Sequence, residues 1–136
     1  MKPVYERCFS EVELPEVVEA IRKTAPHIRR WLLYGPMGVG KTTLIRCWLG
    51  EGVASPTFTY IHEHPHAVHV DLYRFSGSNQ TRWMDLYELL DKAPLILIEW
   101  AERLPEPPPP PWGEIHLSYG EKEQRCLRLF LRGSQE

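Results

Sequence analysis

Eight consecutive residues, Gly35, Pro36, Met37, Gly38, Val39, Gly40, Lys41 and Thr42, constrain this chain more than any other stretch. They satisfy the pattern GxxxxGK[ST] completely, which chance produces in well under ~1% of chains of this length. The pattern has a mechanism. Glycines let successive backbone amides turn inward around phosphate oxygens, and a helix opening at Lys41 adds its positive N-terminal end. The Lys41 ammonium can reach the β and γ phosphates, the Thr42 hydroxyl can ligate Mg²⁺, and Thr43 anchors the α-phosphate side. That mechanism requires a buried strand before the loop and a helix after it.

The flanks meet the requirement. Residues 31–34, WLLY, are a short apolar run, and TTLIRCWL places Leu44, Ile45, Trp48 and Leu49 on one helical side. Upstream, Leu14, Val17, Val18 and Ile21 share a face after Pro15, predicting an amphipathic helix over 15–25. Downstream, runs at about 57–62 and 67–73 are separated by Glu63, His64, Pro65 and His66, the spacing of a hairpin. Residues 81–90 read as a helix, and LILIE as a continuous apolar strand buried on both faces. The proline-rich segment 105–111 reads as an extended connection; as a docking motif for an SH3-like partner it is the lesser reading. EIHLSY and CLRLFLR, parted by 120–124, predict a closing hairpin. Together these elements predict an α/β fold of the P-loop NTPase class, three-layered, with a mixed central sheet of about seven strands flanked by helices. A single domain over 1–136 is expected.

Charge limits the partners. Residues 1–50 carry eight basic and five acidic side chains and residues 51–136 eight and thirteen, so neither part offers the basic stripe of a protein that grips nucleic acid unaided. Any RNA is expected to be held by a partner. Cys8, Cys47 and Cys126 are odd in number and widely spaced, which argues against a disulfide framework or a zinc site and for a reducing cytoplasm. No apolar run is long enough to span a membrane, and no secretion signal is read at the N-terminus.

A triphosphate site of this kind needs an acid at the end of a neighbouring buried strand. Glu99 follows four apolar residues, where a carboxylate is costly unless it meets a cation or a cleft, so it is the candidate for metal binding or catalysis. Asp71, ending the apolar part of HVDLYRF, is a second candidate, and Lys41 completes the catalytic set. Arg74 could stabilise transferred charge, though a surface ion pair is the commoner fate of such a residue. His62, His64, His66 and His69 read as a solvated hairpin rather than a metal site, since Pro65 interrupts any shared strand face. Trp100 must pack beside the site, face a partner or fill the core.

With GPMGVGKTTLIR, SPTFTYI at 55–61, HVDLYRF at 69–75 and LIEWAERL at 97–104, the chain resembles the TsaE (YjeE-like) family over about residues 10–104. Members are small bacterial ATPases needed, with the TsaB and TsaD proteins, for threonylcarbamoyladenosine formation at tRNA position 37. The resemblance implies ATP and Mg²⁺ as cofactors, with Thr42 and Glu99 holding the metal, and gives Ser55, Pro56, Thr57 and Asp71 roles beside the nucleotide. It makes Trp100 a functional residue. It also implies adenine contacts near Glu11 and Arg125, and contact with tRNA only through partners. The chain departs from the family pattern around Leu14, where a threonine is usual, and in a compressed 76–93 segment. A GTPase is disfavoured because no NKxD motif accompanies the loop; a small-molecule kinase would need a lid and acceptor pocket; a non-hydrolysing, ATP-gated binding module stays open.

Overall fold

A computed structural model of the chain describes residues 2–50, 55–58, 61–73 and 80–133. Its elements in order are β1 (Tyr5–Phe9), α1 (Leu14–Thr24), β2 (Arg30–Tyr34), α2 (Lys41–Leu49), β3 (Ser55–Phe58), β4 (Ile61–His64), β5 (Ala67–Asp71), α3 (Gln80–Lys92), β6 (Ile96–Glu99), β7 (Trp112–Tyr119) and β8 (Arg125–Arg132). The eight strands form one mixed sheet, ordered β1-β8-β7-β2-β6-β5-β4-β3. Its centre is parallel, with β2 between β6 and β7 and β5 beyond β6, and both flanks are antiparallel.

Burial explains the layers. All four residues of β6 and the middle three of β2 are buried, as strands covered on both faces must be. Alternation then sends Leu33 and Leu97 to one core with Val17 and Ile21 of α1 and Leu44 and Ile45 of α2, and Leu32, Ile96 and Ile98 to another with Leu86 and Leu90 of α3. Each such side chain contributes roughly 1.5–3 kcal/mol by leaving water. Helix α1 starts at the leucine before Pro15 and buries the stripe that the sequence predicts, Leu14, Val17, Val18 and Ile21.

Three features correct the reading from sequence. The sheet has eight strands rather than about seven: β1 was not anticipated, and the run at 57–62 is divided between β3 and β4. The expected hairpin at 57–73 is present as β4 and β5. Cys8 and Cys126, expected to be unpaired, are joined in a disulfide, leaving Cys47 free. They are register partners on β1 and β8, 118 residues apart, a juxtaposition that only the pairing of those strands creates. With it, the cysteines no longer argue for a reducing compartment. Among the described residues no helix is long and apolar enough to cross a membrane.

Candidate functional site

The glycine loop leaves the carboxyl end of β2, the end at which open parallel sheets place their ligands. Two of its glycines are required there. A Cβ on Gly35, at φ +154°, would lie 2.8 Å from the Leu117 carbonyl oxygen, and Gly40, at φ +109°, caps α2 in the left-handed region. The first amides of α2 have no intrahelical acceptor and point out of the helix end. Within the loop the Val39 N–H donates to the Pro36 carbonyl at 3.3 Å. The closing hairpin braces it from the side: the Tyr119 hydroxyl donates to the Met37 carbonyl at 2.9 Å and Arg125 Nε to the Val39 carbonyl at 3.1 Å.

Five side chains, Glu99, Thr42, His69, Lys41 and Trp100, meet at the start of α2. Glu99, only 3% exposed at the end of β6, accepts the Thr42 hydroxyl on Oε1 at 2.8 Å, while its Oε2 lies 2.6 Å from His69 Nε2. Lys41, 4% exposed, donates to the Gly35 carbonyl at 2.6 Å and holds its ammonium 3.6 Å from the centre of the Trp100 ring. Burial pulls the Lys41 ammonium below the ordinary lysine value, against the carboxylates of Glu102, Glu99 and Asp71. Trp100 is placed over it by a left-handed backbone, φ 57°, uncommon for a residue with a side chain, and its ring packs 5.0 Å from that of Tyr73. Asp71 ends β5 as the register partner of Glu99, and its Oδ1 accepts the Tyr73 N–H at 3.0 Å.

Two adjoining clefts share the loop. The smaller, about 260 Å³, is lined by Lys41, Thr42, Asp71, Glu99 and Trp100. The larger, about 610 Å³, runs from Gly38, Val39, Gly40 and Thr43 to Phe9, Glu11 and Leu14 on one wall and Tyr119 and Arg125 on another. Glu11 is held there by a 3₁₀ turn, Glu11–Glu13, whose Glu13 accepts the Ser10 amide at 2.8 Å and pairs with Arg7 at 2.7 Å.

The family model for the threonylcarbamoyl adenosine biosynthesis protein TsaE matches residues 8–127. This chain belongs to the TsaE family. The curated tRNA threonylcarbamoyladenosine biosynthesis protein TsaE of Haemophilus influenzae is 38% identical over 80 residues, 52% of this chain and 51% of that protein, so the match spans about half of the curated relative. The crystal structure of Bacillus subtilis YdiB superposes with a TM-score of 0.66 at 26% identity, covering 96% of this chain and 86% of that one.

In this TsaE chain the residues singled out from sequence divide between the two clefts. Lys41, Thr42, Asp71 and Glu99 converge in the smaller one, with Met37, Gly38, Gly40 and Thr43 on its rim. Glu11 and Arg125 come together across the larger one, and Leu14, where the family pattern has a threonine, lines it as well. Gly35 and Pro36, at the start of the loop, are not among the residues lining either cleft, and Arg74 lies outside the described residues. Ser55, Pro56 and Thr57 belong to β3.

The histidines need a correction. His69 is not a solvated hairpin residue: it is buried, pairs across strands with His62, and reaches Glu99. Among the described residues no group of three His, Cys, Asp or Glu side chains is placed to hold a metal ion. Alternation offered a signal for His69, since it sits two residues from Asp71 on one strand and so shares its face. Tyr119 and Phe9 had no such signal, because only tertiary pairing brings them to the loop.

Proposed function

We propose that the chain is one P-loop ATPase domain that binds ATP with Mg²⁺ and hydrolyses it in support of threonylcarbamoyladenosine formation on tRNA, acting on a TsaB–TsaD assembly. The observation that carries this reading is the convergence of the glycine loop, Lys41, Thr42 and Glu99 in one cleft, in a chain of the TsaE family. The donor set suits the metal: a hydroxyl and a carboxylate oxygen 2.8 Å apart are the hard oxygen ligands that Mg²⁺ prefers. Thr42 and Glu99 would hold the ion, which neutralises phosphate charge when bound.

The chain's own residues supply the rest. Loop amides cradle the β and γ phosphates, and Lys41, parked on the Gly35 carbonyl and Trp100, exchanges those contacts for phosphate oxygens. Asp71, at the mouth of the same cleft, orients the attacking water. Phe9, Glu11, Tyr119 and Arg125 enclose the base in the larger cleft beyond Thr43. In this reading hydrolysis serves to reset a partner rather than to modify a metabolite.

ATP turnover measured alone and with TsaB and TsaD, for the native chain and for Glu99→Gln, tests the reading. Turnover that rises with the partners and falls in the variant supports it; equal rates in all four samples sink it. The rival, an ATP-gated binding module without hydrolysis, is favoured by the engagement of both Glu99 oxygens by neighbours. It predicts that a non-hydrolysable ATP analogue sustains repeated rounds of tRNA modification, whereas the hydrolytic reading predicts a single round.

A further inference from the structure

We propose that His69 is a positioning residue: it holds the Glu99 carboxylate at the angle from which its other oxygen meets Thr42. The inference deepens, and rests on, the reading of Thr42 and Glu99 as the Mg²⁺ ligands. A carboxylate that is 3% exposed must find partners for both oxygens. Glu99 has one for each. Oε1 takes the Thr42 hydroxyl at 2.8 Å and Oε2 takes His69 Nε2 at 2.6 Å. Contacts at both ends stop the carboxylate from turning about its last bond, so the oxygen next to Thr42 stays aimed at the cleft.

His69 is itself fixed. It is 9% exposed on β5, which is flanked by β4 and β6, and its ring packs 5.4 Å from that of His62, its register partner on β4. Among the described residues no lysine or arginine forms an ion pair with Glu99, and Lys41 is turned to Gly35 and Trp100. The ring N–H of His69 is therefore the donor that sets the orientation of Glu99. Outer partners of this kind tune metal affinity by about 10- to 100-fold without touching the ion.

The test compares His69→Phe, which keeps ring bulk without a donor, with His69→Gln, whose amide nitrogen reaches about as far as Nε2. Binding of a fluorescent ATP analogue is followed by polarisation, first with EDTA and then across a Mg²⁺ titration, with thermal midpoints recorded alongside. The expected result is that H69F binds the analogue in EDTA as the native chain does but needs about tenfold more Mg²⁺ to gain the same tightening. H69Q stays within about twofold of native. An unchanged Mg²⁺ midpoint in H69F overturns the proposal, and so does an equal shift in H69F and H69Q, which would mark a packing role. Should H69F fail to fold, His69→Asn, whose amide falls short of Glu99, takes its place against H69Q with the same outcomes. A native chain whose affinity for the analogue ignores Mg²⁺ overturns the metal assignment itself, and this proposal with it; a loss confined to H69F does not.

Discussion

The two clefts are made from the two kinds of pairing in the sheet. On the phosphate side, the loop after β2, the end of β6 and the end of β5 meet where three parallel strands stop together, and Lys41, Glu99 and His69 are nearly sealed from water. On the other side, antiparallel β1, β8 and β7 supply Phe9, Tyr119 and Arg125 to a cleft more than twice as large, about 610 against 260 Å³. The first region holds charge in short, interlocked contacts. The second offers space and shape. Parallel strand ends suit a site where phosphate and metal must be held at fixed angles, whereas the antiparallel side braces the loop with two side chains that donate to its carbonyls and with Leu117 packed against Gly35. On the proposed function, this division gives chemistry to one side and recognition to the other.

The largest effect should come from the phosphate side. Lys41→Ala leaves the loop without its cation and is expected to weaken ATP binding by roughly 100-fold, the loss of charged hydrogen bonds of about 1.5–3 kcal/mol. Titration with labelled ATP measures it, and unchanged affinity would show that the triphosphate lies elsewhere. Next is Glu99→Gln: binding in EDTA stays close to native while partner-stimulated turnover drops by about 10- to 100-fold. A variant that loses metal-free binding equally would erase the distinction between cradle and metal site.

The antiparallel side is expected to yield less. Arg125 Nε donates to the Val39 carbonyl and its guanidinium lies 4.6 Å from the centre of the Tyr119 ring. Arg125→Ala should cost about 1 kcal/mol, or roughly fivefold in ATP affinity. Inorganic triphosphate, which lacks a base, should bind the variant as it binds the native chain. Equal losses for both would mean that Arg125 works through the loop, and the comparison would need redrawing.

The smallest effect concerns the sheet beneath that side. Burial pushes the Glu114 carboxyl up, but contacts with His116, Trp112 and Arg132 outweigh it and leave the group below its ordinary value. A depressed folded value means stability that is present above the ordinary carboxylate range and fades as pH falls through the lower one. Glu114→Gln should therefore flatten the thermal midpoint profile on the acid side, below the ordinary carboxylate range, by about a fraction of a kcal/mol, while leaving nucleotide binding at neutral pH unchanged.

How much of this was legible in sequence follows the same division. Gly35 to Thr42 are consecutive and carry their own mechanism, and Glu99 announces itself as an acid closing an apolar strand. The helices were readable because each buries a periodic face, and the central strands because they are continuous apolar runs buried on both faces. The opposite wall was not. In β1, residues Tyr5 to Phe9 bury only Phe9 fully and carry Glu6 and Arg7, so no apolar run marks them. The Cys8–Cys126 bond was invisible for the same reason, its partners being register neighbours on strands far apart in the chain. Glu11 and Arg125 were found through family resemblance alone. His69 lay between the two cases: its parity with Asp71 was written in the alternation, but its contact with Glu99 depends on β5 lying beside β6.

The pairing of β1 with β8 also carries a consequence for the order of assembly. Partners 118 residues apart cannot meet until nearly the whole described chain has left the ribosome, and long loop closure is slow. The phosphate loop and α2 are local and can form early, but Phe9 and Arg125 reach the loop only when the last strand is in place. On the proposed function, the molecule thus completes its triphosphate site before its base site. Bound ATP would then lock the final strand pairing, adding its binding free energy to the part of the fold that closes last.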